Sequence, residues 1–233
     1  MKLGIMQPYF LPYIGYFQLM NAVDEFVVYD NIEYTKKGWI NRNRILVNGK
    51  DNYITIPIKK DSDYVKVVDR YLAETWVTER IKLINRIVES YRKAPEFENV
   101  FPLVKRCIMF EEANLFKFIY NSLIMLKDFL EIQTSIIISS SIPINHNTKA
   151  EKKIIEICKA RKADRYINPI GGLNLYDKKI FNSENIELSF IKSSEITYNQ
   201  FNNDFVPWLS IIDVMMFNEK ERITRFLNEY KLI

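Results

Sequence analysis

The opening βαβ pattern of residues 2 to 30 constrains this chain more than any other stretch. A short apolar run, Lys2 to Met6, stops at Gln7-Pro8. A loop with a second proline, Pro12, leads into residues that are apolar at helical spacing (Phe17, Leu19, Met20, Ala22, Val23). A second apolar run, Phe26 to Tyr29, then ends on Asp30. Strand, helix and strand in so short a span imply two parallel neighbours in one sheet. Sheets of that kind bind ligands outside the carboxyl ends of their strands. Here those ends carry Gln7, Tyr9, Tyr13, Tyr16, Asp30, Asn31 and Tyr34, and the next loop adds Lys36, Lys37, Arg42 and Arg44 with no acid among them.

Downstream, Arg44 to Val47 and Tyr53 to Ile58 flank Asn48-Gly49. That dipeptide favours positive φ and predicts a tight hairpin, with Pro57 marking an edge position. Residues 59 to 74 read as loop or a short strand at Tyr64 to Val68. Thr75 and Thr78 are candidate caps for a helix running to Tyr91. A segment punctuated by Pro95 and Pro102 and a helix from Asn114 to Leu130 complete a helical insert over residues 75 to 132. Strands resume at Ser135 to Ser139, Arg165 to Asn168 and Ile186 to Ile191. Helices are expected from Thr148 to Ala160, around Tyr176, and over 205 to 217 and 219 to 230. The alternation predicts a three-layer α/β fold, largely parallel and Rossmann-like, in one domain of residues 1 to 233.

Composition narrows the function. A net charge of +4 suits a small anionic ligand better than nucleic acid, which calls for a denser basic face. One histidine and two scattered cysteines give no zinc-type ligand set, so no metal is expected. Cys107 and Cys158, inside helical patterns, read as buried free thiols. The sequence has no signal-peptide core and no apolar run of membrane-spanning length, so a cytoplasmic protein without membrane insertion is expected.

Five groups are candidates for chemistry. Tyr13-Ile14-Gly15-Tyr16 stands where Rossmann-like nucleotidyltransferases carry His-x-Gly-His, with glycine letting backbone approach a nucleotide; the alternative is a packed helix start. Lys36, Lys37, Trp39, Asn41, Arg42 and Arg44 form a cationic loop able to clamp phosphates, or a solvated charge run. Gly171-Gly172 before Tyr176 is a candidate backbone-amide anion site. Thr148 and Lys149 sit at a helix start below a strand end, while His146 reads as local capping rather than a base. Asp213, on an apolar helix, needs a partner if buried; a structural salt bridge and a site acid are the two readings.

Three strings carry a family resemblance: IMQPYFLPYIGYFQLMNAVDEFVVYDNIEYTKKGWINRNRI (residues 5 to 45), YINPIGGLNLYD (166 to 177) and FVPWLSIIDVMMFN (205 to 218). They closely resemble the WbqC-like family of bacterial proteins. The resemblance implies a setting in O-antigen and other surface-polysaccharide clusters and a glycine-transferase type of activity; it carries no established catalytic residues. Joined to the residue reading, it gives an acyl or aminoacyl transferase acting on a nucleotide-linked amino sugar. In that scheme Lys36, Lys37, Arg42 and Arg44 hold the diphosphate, Tyr13, Gly15 and Tyr16 shape the pocket, and Asp30 orients a hydroxyl or amine. ATP or a pre-activated acyl donor would supply the acyl group. An ATP-dependent nucleotidyltransferase or acyl-adenylate ligase, and a non-catalytic scaffold of the polysaccharide machinery, are the alternatives.

Overall fold

The computed structural model describes residues 1–148 and 150–233. Strand β1 (Lys2–Met6) leads through the proline loop into helix α1 (Ile14–Asn21) and strand β2 (Glu25–Val28). A separate hairpin follows, β3 (Arg42–Val47) and β4 (Lys50–Thr55). Three helices come next: α2 (Trp76–Tyr91), α3 (Phe97–Met109) and α4 (Leu115–Phe129). The chain then returns to the sheet with β5 (Ser135–Ile138), α5 (Ala150–Ala160), β6 (Arg165–Pro169), α6 (Lys178–Ser183) and β7 (Glu187–Ser193). Helices α7 (Ile211–Phe217) and α8 (Lys220–Phe226) precede a final strand, β8 (Tyr230–Leu232).

The main sheet has the order β5-β2-β1-β6-β7-β8. Its first five strands are parallel and β8 runs antiparallel on β7. Counting only main-sheet strands, the order is third, second, first, fourth, fifth, sixth, the doubly wound arrangement of a Rossmann-like sheet. Winding reverses between β1 and β6, so a crevice opens beyond Met6 and Pro169. Strand residues alternate between two apolar cores. Leu3 and Ile5 of β1 and Leu188 and Phe190 of β7 pack with Ile154, Ile157 and Phe181 of α5 and α6. Phe26 and Val28 of β2 and Ile191 of β7 face the other way, onto α1, α2, α3, α4 and α7. Helices on both faces of a mostly parallel sheet make three layers.

The hairpin turn is built as its dipeptide requires: Asn48 and Gly49 have φ of 50° and 75°, both positive as in a type I′ turn. The strands lie slightly earlier than expected, and β4 ends at Thr55, before Pro57. Tyr64 to Val68 is not a strand; a bridge from Glu33 to Lys66 and a 3-10 turn at Val67–Asp69 replace it. Thr75 precedes α2 without a side-chain cap, and its carbonyl accepts from the Thr78 hydroxyl.

The largest departures are near the C-terminus. Residues 205 to 210 are not helical. Pro207 is followed by Trp208 in the left-handed region at φ 62°, and α7 starts only after Ser210, whose hydroxyl caps it by accepting from Ile212 N at 3.3 Å. The last helix stops at Phe226, and residues 230 to 232 become the sixth strand. Alternation over three residues is too short to distinguish from a frayed helix end.

Candidate functional site

A cavity of about 370 Å³ lies at the topological switch point. Met6 ends β1 below it, Pro169 ends β6 with Ile170 just after it, and Ile191, Lys192 and Ser193 end β7. The start of α1 forms one wall with Tyr13, Gly15 and Tyr16, and Tyr9 comes from the preceding loop. The opposite wall is Trp39, Asn43 and Arg44 from the hairpin side, with Trp208 beyond. The lining is mostly apolar and aromatic. Among the described residues it includes two cations, Arg44 and Lys192, and no carboxylate.

Gly15 is required by close approach. A methyl group there would lie 2.7 Å from the Ser193 hydroxyl oxygen and 3.3 Å from the Tyr13 ring, so α1 could not begin so near β7. The Tyr16 hydroxyl donates to the Gln7 carbonyl at 3.1 Å, and its ring packs on Phe26 (centroids 5.2 Å) and Tyr9 (5.8 Å). Burial raises the pKa of the Tyr9 and Tyr16 phenols and pushes Tyr13 up to about 12. All three therefore stay protonated at neutral pH and serve as neutral hydrogen-bonding groups.

The cationic loop divides its charges. Arg44, on β3, is three-quarters buried. It donates from Nη1 to Asp51 at 2.9 Å and from Nη2 to the Trp208 carbonyl at 3.2 Å, and stands 5.7 Å from the centre of the Trp39 ring. Its Nε is buried without a protein acceptor among the described residues. Arg42 turns back on its own loop, donating to the Gly38 and Lys37 carbonyls and lying 4.9 Å from the Tyr53 ring centre. Lys36 pairs with Asp63 at 2.8 Å on the surface, and Lys37 is exposed. Tyr34 donates to Asn41 at 2.7 Å, and Asn41 donates to the Ile56 carbonyl at 2.8 Å. That pair fastens the loop to the residue after β4.

Asp30 and Asn31 are buried beyond β2 in a different cluster. The Asp30 carboxylate accepts from Ser140 N at 2.9 Å and Ser140 Oγ at 2.6 Å. Asn31 accepts from Ser139 Oγ at 2.8 Å and donates to His146 Nδ1 at 2.9 Å. His146 Nε2 lies 2.9 Å from the Ile142 carbonyl and must carry the proton. Both ring nitrogens are thus engaged. Thr148 donates to Glu156 at 3.0 Å, and Lys149 lies outside the described residues.

Gly171 and Gly172 form a 3-10 turn after β6, and Tyr176 lines a shallower depression. Gly172 has its own steric reason: an added methyl would fall 1.9 Å from Asn168 Nδ2, and the Asn168 amide oxygen accepts from Tyr166 at 2.9 Å. Gly172→Ala is therefore expected to cost about 1–3 kcal/mol of stability by overpacking. Gly171→Ala, with open space at Cβ, should cost no more than about 0.5 kcal/mol. Denaturant midpoints of the two variants check the contrast; equal midpoints would refute it.

Among the anticipated residues, Tyr9, Tyr13, Gly15, Tyr16, Trp39 and Arg44 come together at the cavity. Asn43 and Trp208 also line it, and Lys192 and Ser193 do so without having been anticipated. Lys192 and Ser193 end a strand of the parallel sheet, so the strand-end rule applied to the last strand would have found them. The buried thiols of Cys107 and Cys158, each pushed up to about 12 by desolvation, supply no nucleophile. Among the described residues no group of three or more His, Cys, Asp or Glu gathers to hold a metal, and no helix is long and apolar enough to cross a membrane.

Sheet order and cavity position together define a Rossmann-like α/β protein with a ligand-sized pocket at its switch point. Comparison with known families is more specific. The model of the WbqC-like protein family matches residues 7–225, and the chain belongs to that family. It is similar to the uncharacterized protein Rv1507c of Mycobacterium tuberculosis, 26% identical over 220 residues covering 93% of each chain. No solved structure matches the chain significantly.

Proposed function

We propose that the protein is a transferase that binds a nucleotide-linked amino sugar at the switch-point cavity and acylates or aminoacylates its amine. The observation that carries this reading is the polarity of the cavity: among the described residues, two cations, no carboxylate and a surround of aromatic rings. A diphosphate calls for Arg44 and Lys192, the arginine by paired N–H donors and the lysine as a point charge. A base or sugar ring calls for flat surfaces, which Trp39, Tyr13 and Tyr9 offer. In the transfer itself the sugar nitrogen attacks the carbonyl carbon of an activated acyl donor and a C–N bond forms. The donor's leaving group departs with its bonding pair, and the amine proton passes to solvent or to that leaving group. Membership in the WbqC-like family supports the surface-polysaccharide setting of such a substrate. Calorimetry against a panel of nucleotide-sugars tests the reading. Micromolar binding of at least one member is expected, and a panel without any binder would overturn it.

One observation favours a second reading, an ATP-dependent nucleotidyltransferase or acyl-adenylate ligase. Tyr13, Gly15 and Tyr16 line the cavity at the start of α1, the position of His-x-Gly-His in that superfamily. Protonated phenols can donate to phosphate but bring no positive charge. Pyrophosphate release from ATP with small carboxylic or amino acids would decide for this alternative.

A further inference from the structure

A second cavity, about 280 Å³, adjoins the first and has the opposite character. Tyr13 and Trp208 line both. Their rings, 5.2 Å apart between centroids, form the partition. On the far side stand the rings of Tyr198 and Phe205, edge to face at 5.0 Å, and the carboxylate of Glu195. Four aromatic rings and one acid therefore face this space, and among the described residues no Lys or Arg lines it. Arg222 donates to the Thr197 carbonyl at 3.1 Å and lies 5.3 Å from the ring centre of Phe226. Behind the Tyr198 ring a second carboxylate, Asp213, accepts the Tyr198 hydroxyl at 2.7 Å.

The partition is held in place at a conformational cost. Trp208 is a bulky residue at φ 62°, a region that large side chains avoid and that persists only where surroundings enforce it. Here Arg44 donates to the Trp208 carbonyl, Ser210 N donates to the Arg44 carbonyl at 2.8 Å, and Ser210 Oγ donates to the Leu11 carbonyl at 2.7 Å. The strained tryptophan is thereby pinned between the hairpin and the loop before α1.

We propose that the second cavity is an ammonium site, in which the faces of Tyr13, Tyr198, Phe205 and Trp208 and the Glu195 carboxylate hold a small ligand by its primary or methylated amine. The electron-rich faces of aromatic rings attract such a cation, and several faces with a nearby acid select it over a neutral molecule of equal shape. A volume near 280 Å³ suits an amine of amino-acid size rather than a nucleotide. In giving the transfer a second, amine-bearing substrate the proposal rests on the reading above, but the cage binds or fails to bind whatever the first cavity holds.

The test uses the full chain with no nucleotide-sugar present. Choline and ethanolamine serve as cationic probes and dimethylbutanol as the neutral isostere of choline, followed by saturation-transfer NMR and calorimetry. Choline or ethanolamine is expected to bind, with dimethylbutanol weaker by about tenfold. Glu195→Gln, at an exposed position that folding tolerates, should weaken the cationic probe about threefold, and Phe205→Leu about fivefold. Lys82→Met, on α2 where its side chain pairs with Glu79 and lines neither cavity, should leave probe binding unchanged. Absence of binding by either amine, equal binding of dimethylbutanol, or wild-type affinity in both cage variants would overturn the ammonium site. None of those results bears on the nucleotide-sugar panel, so the two readings fail separately.

Discussion

Asp213→Ala is expected to destabilise the fold by about 3–4 kcal/mol, the largest effect of any single change considered for this chain. The carboxylate is fully buried and accepts from three donors: Tyr91 at 2.9 Å, Tyr198 at 2.7 Å and Gln200 Nε2 at 2.6 Å. Tyr91 in turn accepts from Leu46 N on β3 at 2.8 Å, and the Gln200 side chain closes a ring of bonds with Val206. Alanine leaves those donors buried without an acceptor, each costing about 1–3 kcal/mol before relaxation. Thermal denaturation should show a fall on the order of 10 °C; a fall below about 2 °C would mean that water or neighbours replace the carboxylate.

The same residue makes stability depend on pH. Desolvation pushes the Asp213 pKa up to about 6, against the opposing pull of Tyr198, Gln200 and Tyr91. With a folded value above the unfolded one, the folded state binds the proton more tightly. The contribution is fully present below about pH 4 and is lost as pH rises through about 6. Two units correspond to roughly 3 kcal/mol at most. Asp213→Asn should lack this loss, so wild type should weaken relative to the variant as pH rises from 4 to 7, and parallel stability curves would contradict the assignment. The sequence offered a salt bridge or a site acid for Asp213; the partners are two phenols and an amide, with no cation in contact among the described residues.

The second large effect concerns Arg44. If this guanidinium holds the diphosphate, Arg44→Ala should weaken binding of any nucleotide-sugar ligand by about 1.5–3 kcal/mol, some ten- to a hundredfold. Arg44→Lys should fall between, since charge survives and the planar fork is lost. Arg42→Ala is the internal control. Its side chain is spent on the Gly38 and Lys37 carbonyls, so its loss should loosen the loop and change affinity by less than about threefold. Equal losses from the two alanine variants would move the anion from the cavity to the outer face of the loop.

Much of the scaffold was legible because it is written in local patterns. The two runs at Lys2–Met6 and Phe26–Tyr29, the Asn48-Gly49 turn and the apolar spacing of α4 each specify an element by their own chemistry. What was hidden depends on distant partners. Nothing near Asp30 indicates that Ser140, far along the chain, takes up its carboxylate. Trp208 looks helical beside α7 until Arg44 and Leu11, both far upstream, are seen to hold the loop from each side. Charge in the cationic loop was readable but its use was not: Arg42 and Arg44, two residues apart on one strand, share a face and both stand near the Trp39 ring, yet Arg42 bonds back to the Gly38 and Lys37 carbonyls and only Arg44 lines the cavity.

The hairpin of β3 and β4 stands apart from the main sheet, yet it supplies Asn43 and Arg44 to the cavity. One wall of the pocket is thus carried by an element outside the central sheet. A relative could lengthen this hairpin, or replace its inward-facing residues, and so accept a different ligand head group while every strand of the central sheet kept its register. Diversity of substrate among proteins of this architecture should therefore be sought first in the hairpin and its turn, and only afterwards at the strand ends.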